Sequence, residues 1–185
     1  MIIRKLLCCT AIVLSGSVSI VACGSPTTVG GSTSHTNTSD PTQVENELRS
    51  KPSLEATQDQ YRAIVQKLAN QIAALTPGTT WRLDEDSWVG CEGMLGRAHA
   101  KQAYLMAVFT GPIPESVWPQ ALQLVGDAVG ELGASDRNTV KNSPGDHDVA
   151  FSGSNGVVFQ LATQKAATLT ARSECRLKQA DLGPV

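Results

Sequence analysis

The stretch ATLTARSECRL (residues 167–177) decides the fold class, because its side chains alternate strictly in character. The small and apolar side of the alternation is Leu169, Ala171, Ser173, Cys175 and Leu177, whereas threonines and charged residues occupy the other side. A period of two with the charges on one side predicts a β-strand that buries one face. The C-terminal third of the chain is therefore expected to end in a half-buried strand.

Four further strands are predicted between residues 79 and 163. HDVAFS (147–152) and GVVFQLAT (156–163) flank the turn sequence GSN and predict a hairpin. TTWRL (79–83) predicts a strand that leads into an acidic loop, DEDS (84–87). KQAYLMAVFT (101–110) predicts a largely buried strand that ends at GPIP.

Two segments have the apolar spacing of amphipathic helices. The first is expected to begin after a capping Ser53 and to end at Leu75; the second runs from about Pro119 to Leu132, with Gly133 following it. The predicted order is α-β-β-α-β-β-β. This order favours an α+β domain in which two amphipathic helices pack on one face of a mainly antiparallel sheet.

The N-terminus predicts export and a lipid anchor. Arg4 and Lys5 precede an uncharged, mostly apolar run that is too short to span a bilayer comfortably, as in a secretory signal peptide over residues 1–22. Its end, Ile20-Val21-Ala22-Cys23, is similar to a bacterial lipobox. Cys23 is the predicted site of S-diacylglycerol attachment and, after cleavage, of N-acylation. Two or three acyl chains would hold the protein firmly on the outer side of the cell membrane.

Composition divides the mature chain into two parts. Residues 23–52 are rich in Gly, Ser, Thr, Asn and Pro and are expected to form a lipidated, disordered tether, and residues 53–182 suffice for one globular domain. The whole chain has 15 basic and 17 acidic residues, and cleavage before Cys23 removes two of the basic ones. With few aromatic residues and no basic stripe, the chain lacks the features of a nucleic-acid-binding protein.

Two cysteines remain in the exported domain once Cys8 and Cys9 leave with the signal peptide and Cys23 is acylated. An even pair in an oxidising compartment predicts a disulfide, Cys91–Cys175. The glycines around Cys91 would allow its loop to reach the inward face of the last strand, on which Cys175 is expected. The competing expectation is two separate free thiols.

The candidate chemical groups have weaker support. Cys91 with His99 or His147 could form a thiol–base pair, but no local motif places either histidine beside it. GDHDV (145–149) and LDEDS (83–87) carry carboxylates without the spacing of a calcium loop, so no metal site and no cofactor is predicted. Trp81, Trp88 and Trp118 could line a groove, although core positions are the more common use of tryptophan.

The run from SLEATQDQ to ALQLV (53–125) resembles the LppA/LppB/LppV group of mycobacterial lipoproteins. The resemblance covers most of the mature domain and agrees with the lipobox. It implies a cell-envelope protein acylated at Cys23, and it supplies no catalytic residues.

These observations predict a membrane-anchored envelope lipoprotein that is not an enzyme. The expected role is a non-catalytic binding or interaction module on the outer face of the plasma membrane. The alternative is a carrier of a lipid or another apolar ligand. A large apolar cavity between helices and sheet would favour the carrier, and a solid core would favour the module.

Overall fold

The computed structural model describes residues 40–183. The predicted signal peptide, Cys23 and the first part of the predicted tether lie outside this range. The helices and strands follow one another as α1 (Pro41–Arg49), α2 (Leu54–Leu75), β1 (Trp81–Gly90), α3 (Gly93–Arg97), β2 (Lys101–Phe109), α4 (Trp118–Gly130), β3 (Asp136–Ser143), β4 (Asp146–Ser152), β5 (Val158–Thr163) and β6 (Ala167–Arg172). A 3₁₀ turn, Gln179–Asp181, follows the last strand.

The six strands form one sheet in the order β1-β2-β6-β5-β4-β3, and every neighbouring pair is antiparallel. Helices α2 and α4 contact each other and the sheet. The predicted α+β class, with two amphipathic helices on an antiparallel sheet, is confirmed. The predicted order of elements lacks α1, α3 and β3.

Helix α2 forms where the sequence predicts it. The Ser53 hydroxyl accepts a hydrogen bond from the Ala56 amide at 3.2 Å, which satisfies one of the free N–H groups of the first turn. The apolar stripe of the helix, including Tyr61, Val65 and Leu68, is almost completely buried. The Tyr61 ring lies 5.5 Å, centroid to centroid, from the Phe159 ring of β5, so this stripe faces the sheet.

Helix α4 completes the helical layer. It begins at Trp118 and ends at Gly130, two residues before the predicted end, and Gly133 has a φ of 81° in the turn that follows. Gly126 faces β4: a β-carbon there would lie 3.1 Å from the Phe151 ring. The missing side chain lets helix and strand approach closely.

The acidic segment DEDS is part of strand β1, and its prediction as a loop is wrong. β1 pairs with β2 from Trp81 to Gly90, with a register shift between Leu83 and Glu85. Asp86 reaches helix α2, where it accepts hydrogen bonds from Gln58 and Arg62. These hydrogen bonds, that of Arg62 above all, hold the pKa of Asp86 below its ordinary value. Because the Asp86 carboxylate is paired with Arg62 of α2, this acidic segment forms a strand although its composition disfavours one.

The predicted tether through residue 52 is wrong for residues 41–49, which form α1. The Asp40 side chain accepts a hydrogen bond from the Thr42 amide at 3.0 Å and caps the helix. Val44 and Leu48, one turn apart, are buried against Ala100 and Leu177. Two apolar residues in a polar segment are too weak a periodic pattern to predict this helix.

Two further differences from the prediction concern β3 and β6. Every residue of β3 is exposed, so the strand has no alternation to detect, and its pairing with β4 shifts register between Thr139 and Lys141. β6 ends at Arg172, earlier than the predicted Leu177. The chain beyond it keeps one bridge to β2, in which Lys101 and Arg176 exchange two backbone hydrogen bonds of 2.8 Å.

A candidate binding cleft beside the disulfide

Cys91 and Cys175 form the predicted disulfide, with Cα atoms 6.3 Å apart. The expected position of Cys175 needs correction, because β6 has already ended and Cys175 lies in the segment after it. The bridge packs against a second apolar cluster, formed by α1, α3 and the C-terminal segment, that is separate from the main core. We use the term disulfide end for the region that comprises this cluster together with Gly90 and Lys101.

Backbone hydrogen bonds fix the C-terminal segment at the disulfide end. The Leu54 amide at the start of α2 donates to the Leu177 carbonyl at 2.7 Å. The Cys91 amide donates to the Ala100 carbonyl at 3.1 Å. The disulfide and these hydrogen bonds connect the segments that lie beside a surface cleft.

The cleft has a volume of about 640 Å³ and lies between the disulfide, the end of β1 and the β4–β5 turn. Its apolar lining comes from Val89, Leu95 and the disulfide itself, and its polar lining from Glu92, Gln102, Ser154, Asn155 and Arg172. A volume in this range accommodates a small ligand or a few side chains of a protein partner.

Two amides on the rim are already used to hold it together. Gln102 donates to the carbonyls of Gly156 and Ser173, at 3.3 and 2.8 Å. Asn155 donates to the Leu132 carbonyl at 3.3 Å and accepts from the Val157 amide. Because these hydrogen bonds fix the turn on its neighbours, the two side chains shape the cleft.

Arg172 is the exposed cation of the cleft. Its guanidinium carbon lies 5.5 Å from the centroid of the Tyr104 ring on the sheet face opposite the helices. In the described part of the chain it takes part in no ion pair. A ligand with a carboxylate or phosphate group would find its strongest complement there.

A smaller cavity of about 310 Å³ lies on the α1 side of the disulfide. Glu174 lines it and accepts a hydrogen bond of 2.7 Å from the buried Tyr61 hydroxyl, while pairing with Arg176. Burial, with the neighbouring carboxylate, raises the pKa of Tyr61 well above its ordinary value. The phenol therefore stays protonated and serves as a fixed hydrogen-bond donor.

The candidate thiol–base pair does not form. Cys91 is in the disulfide and has no free thiol. His99 lies in the turn before β2 with a φ of 59°. His147 is buried, and its ring stacks on Trp118 with centroids 4.8 Å apart.

Both ring nitrogens of His147 have protein partners. Nε2 lies 2.9 Å from Glu115 Oε2, and Nδ1 lies 3.1 Å from Asn142 Oδ1. The hydrogen bond with His147, supported by one from the Gly145 amide, lowers the pKa of Glu115. Glu115 is 32 residues from His147 in the sequence, so the pairing leaves no local pattern.

The acidic residues considered as metal ligands contact different partners. Asp146 pairs with Lys141, and Asp148 accepts a hydrogen bond from Gln160. Between residues 40 and 183, no three His, Cys, Asp or Glu side chains are grouped so that they could hold a metal ion.

The tryptophans have three different environments. Trp118 is buried, and Trp81 is half-buried with its indole N–H donating to Asn70 at 2.9 Å. Trp88 is exposed. The expectation of core positions thus holds for Trp118 and is wrong for Trp88.

The sequence model of one family, described as a lipoprotein confined to pathogenic Mycobacterium, matches residues 30–179. The chain belongs to the LppA family. LppA and LppB of Mycobacterium tuberculosis are each 24% identical to it over 145 residues. These matches cover 74% of this chain and 66% of each relative. The chain therefore spans slightly less than two thirds of the length of these relatives.

Solved structures share the fold of this LppA-family protein. The crystal structure of LppA from M. tuberculosis superposes with a TM-score of 0.68 at 23% identity and covers 77% of this chain and 89% of that one. A DUF4853 family protein from Actinomyces odontolyticus has a TM-score of 0.50 at 15% identity, with 73% of each chain covered. The α+β architecture thus occurs in experimental structures. In the described range 40–183, no helix has the length and apolarity needed to cross a bilayer.

Proposed function

We propose that this LppA-family protein is a non-catalytic binding module, held on the outer face of the plasma membrane by acyl chains on Cys23. Two findings support the anchor: the lipobox Ile20-Val21-Ala22-Cys23 and membership of a lipoprotein family. The observation that carries the binding role is the filled core.

The filled core argues against a carrier of apolar ligands. Tyr61, Phe159 and Leu161, which lie between the helices and the sheet, are 0–1% exposed. A carrier needs an apolar cavity that encloses most of its ligand. The cleft beside the disulfide opens instead to the surface and has a mixed polar and apolar lining. Such a lining suits reversible binding at the surface.

Two of the three side chains considered for catalysis, Cys91 and His147, are engaged in structural contacts. The sulfur of Cys91 is bonded to Cys175, and the ring of His147 is buried between Trp118 and Glu115. A nucleophile requires a free, oriented base beside it. This arrangement supports a binding role over acyl or group transfer.

Cell fractionation of a Cys23→Ser variant tests the anchor. We expect the variant to leave the membrane fraction or to keep its signal peptide, because serine lacks the thiol that accepts the diacylglycerol. The double variant Cys91→Ser, Cys175→Ser is the matched control and should stay in the membrane fraction. Normal maturation and membrane retention of the Cys23→Ser variant would refute the anchor.

Native purification tests the binding role. The mature protein is extracted from membranes, and the molecules that co-purify are identified by mass spectrometry. We expect a partner that is lost with Leu95→Arg in the cleft and kept with Val140→Arg on β3, since both leucine and valine are exposed. A tightly held lipid that is insensitive to Leu95→Arg would favour the carrier.

A further inference from the structure

We infer that Trp88, Lys101 and Lys178 form a membrane-contact patch that docks the disulfide end on anionic phospholipid headgroups. The inference rests on the proposed anchoring at Cys23, because the anchor would keep the domain next to a bilayer.

Two ammonium groups lie on an exposed indole in this patch. Lys178 Nζ is 4.1 Å and Lys101 Nζ 5.0 Å from the centroid of the Trp88 ring. Trp88 is 44% exposed. In the part of the chain that the structure describes, neither lysine takes part in an ion pair.

The patch lies near α1, the first described helix after Cys23 in the sequence. Ala100 and Leu177 directly precede the two lysines, and both pack against Val44 and Leu48 of α1. Residues 24–39 separate Cys23 from the cap of α1. These 16 residues can span at most about 55 Å, so acyl chains on Cys23 would keep the start of α1 within that reach of the bilayer, and the disulfide end packs on α1.

The chemistry of the patch matches the headgroup region of a bilayer. Tryptophan is enriched at membrane interfaces because its ring is apolar and its N–H is polar. Each lysine near an anionic surface strengthens binding by about fivefold. Leu95 is also exposed at the disulfide end, so two of the three large apolar side chains exposed between residues 40 and 183 lie there.

Neighbouring charges leave the lysines available for a partner. At the same end, Glu45 pairs with Arg49, and Glu174 pairs with Arg176. These acidic groups are partly neutralised by nearby guanidinium groups. Besides the two lysines, Arg97 of α3 is exposed and takes part in no ion pair between residues 40 and 183, so it adds to the attraction for anionic headgroups, whereas the exposed Glu92 opposes it.

Vesicle binding tests the patch without the lipid anchor. The protein is the mature chain from residue 23 with Cys23→Ser, and its binding is measured by co-sedimentation with vesicles of phosphatidylcholine with or without phosphatidylglycerol. We expect binding to the anionic vesicles that weakens as salt is raised. Lys101→Gln with Lys178→Gln should weaken it by about 10-fold or more, since each lysine contributes about fivefold.

The matched control removes the same charge elsewhere. Lys67→Gln with Lys165→Gln alters the net charge equally, at α2 and at the β5–β6 turn, and should weaken binding by less than about threefold, since exposed charges more than a Debye length away are largely screened. Trp88→Phe keeps an aromatic ring for folding. In the unsubstituted chain, brominated phospholipids should quench tryptophan emission. Trp88→Phe should abolish most of that quenching, because Trp118 is buried and the half-buried Trp81 is at the opposite end of β1.

Two results would overturn the patch: equal binding of the two lysine variants, or equal binding to neutral and anionic vesicles. Because the tested chain carries no lipid, either result concerns the patch alone. Failure of the anchor would appear separately, in the fractionation of the Cys23→Ser variant.

Discussion

Cys91 and Cys175 are 84 residues apart in the sequence and are joined by a disulfide at one end of the sheet. Cys91 directly follows β1, and Cys175 lies three residues beyond β6. Both strands pair with β2, one on each side of it. The bridge therefore closes the end of a three-strand unit that hydrogen bonds already hold together along its length.

Replacing both cysteines by alanine should lower the free energy of unfolding by as much as about 4–5 kcal/mol, the chain-entropy value for a loop of this length. Urea unfolding of the oxidised protein and the double variant measures the difference. Alkylation of the intact exported protein under non-reducing conditions should modify neither cysteine. An unchanged unfolding midpoint would contradict the stabilising role of the bridge.

His147→Gln should raise the pKa of Glu115 towards its ordinary value of 4.5, because the hydrogen bond with His147 is the main cause of its lowered pKa. NMR titration of the Glu115 carboxyl carbon measures this. Since the folded-state pKa is lowered, the stabilisation by Glu115 is present above about pH 4.5 and is lost as the pH falls through the lowered value. A Glu115 titration that is identical in the variant would contradict this account.

Gly153→Ala should destabilise the protein by about 1–3 kcal/mol, because the new methyl group forces a backbone shift. A β-carbon at Gly153 would overlap the Gly133 carbonyl oxygen and lie 2.7 Å from Asn155 Oδ1. Gly130→Ala is the control, since nothing lies within 4 Å of a β-carbon there. Thermal melting should show a clear loss for the first variant and none for the second.

Leu48→Ala should lower the free energy of unfolding by about 2–3 kcal/mol, towards the lower end of the range for buried leucines, because its pocket is near the surface. Leu48 is 6% exposed in the second cluster, whereas Glu47 beside it is exposed. Glu47→Ala should change stability by less than about 0.5 kcal/mol. Hydrogen exchange of α1 amides should rise in the Leu48 variant only.

Periodicity predicted the elements that bury one face. In α2, β2, α4 and the β4–β5 hairpin, apolar residues recur at helical or strand spacing because each packs on the main core. Neither face of strand β3 is buried, and its eight residues show no alternation of apolar and polar side chains. The helix α1 contributes only Val44 and Leu48 to a small cluster.

Of the candidate site, only the disulfide could be predicted from the sequence. Counting exported cysteines leads to the disulfide, since Cys91 and Cys175 are the two that remain. The cleft depends on contacts such as those of Gln102 with Gly156 and Asn155 with Leu132, which join residues far apart in the sequence. The alternation around Cys175 continues through Leu177 although β6 ends at Arg172. Beyond Arg172 the segment is still hydrogen-bonded to β2, through Ser173 and through the bridge between Arg176 and Lys101.

The position of α1 has a mechanical consequence for a chain held by acyl groups at Cys23. Any pull between the bilayer and a bound partner would reach the domain through Asp40, so α1 would bear the load first. Its buried contacts are those of Val44 and Leu48, whereas the sheet behind it is hydrogen-bonded strand to strand. Under tension this short helix would detach before the sheet opens. The tether between Cys23 and the domain would then be longer, while the cleft keeps its shape.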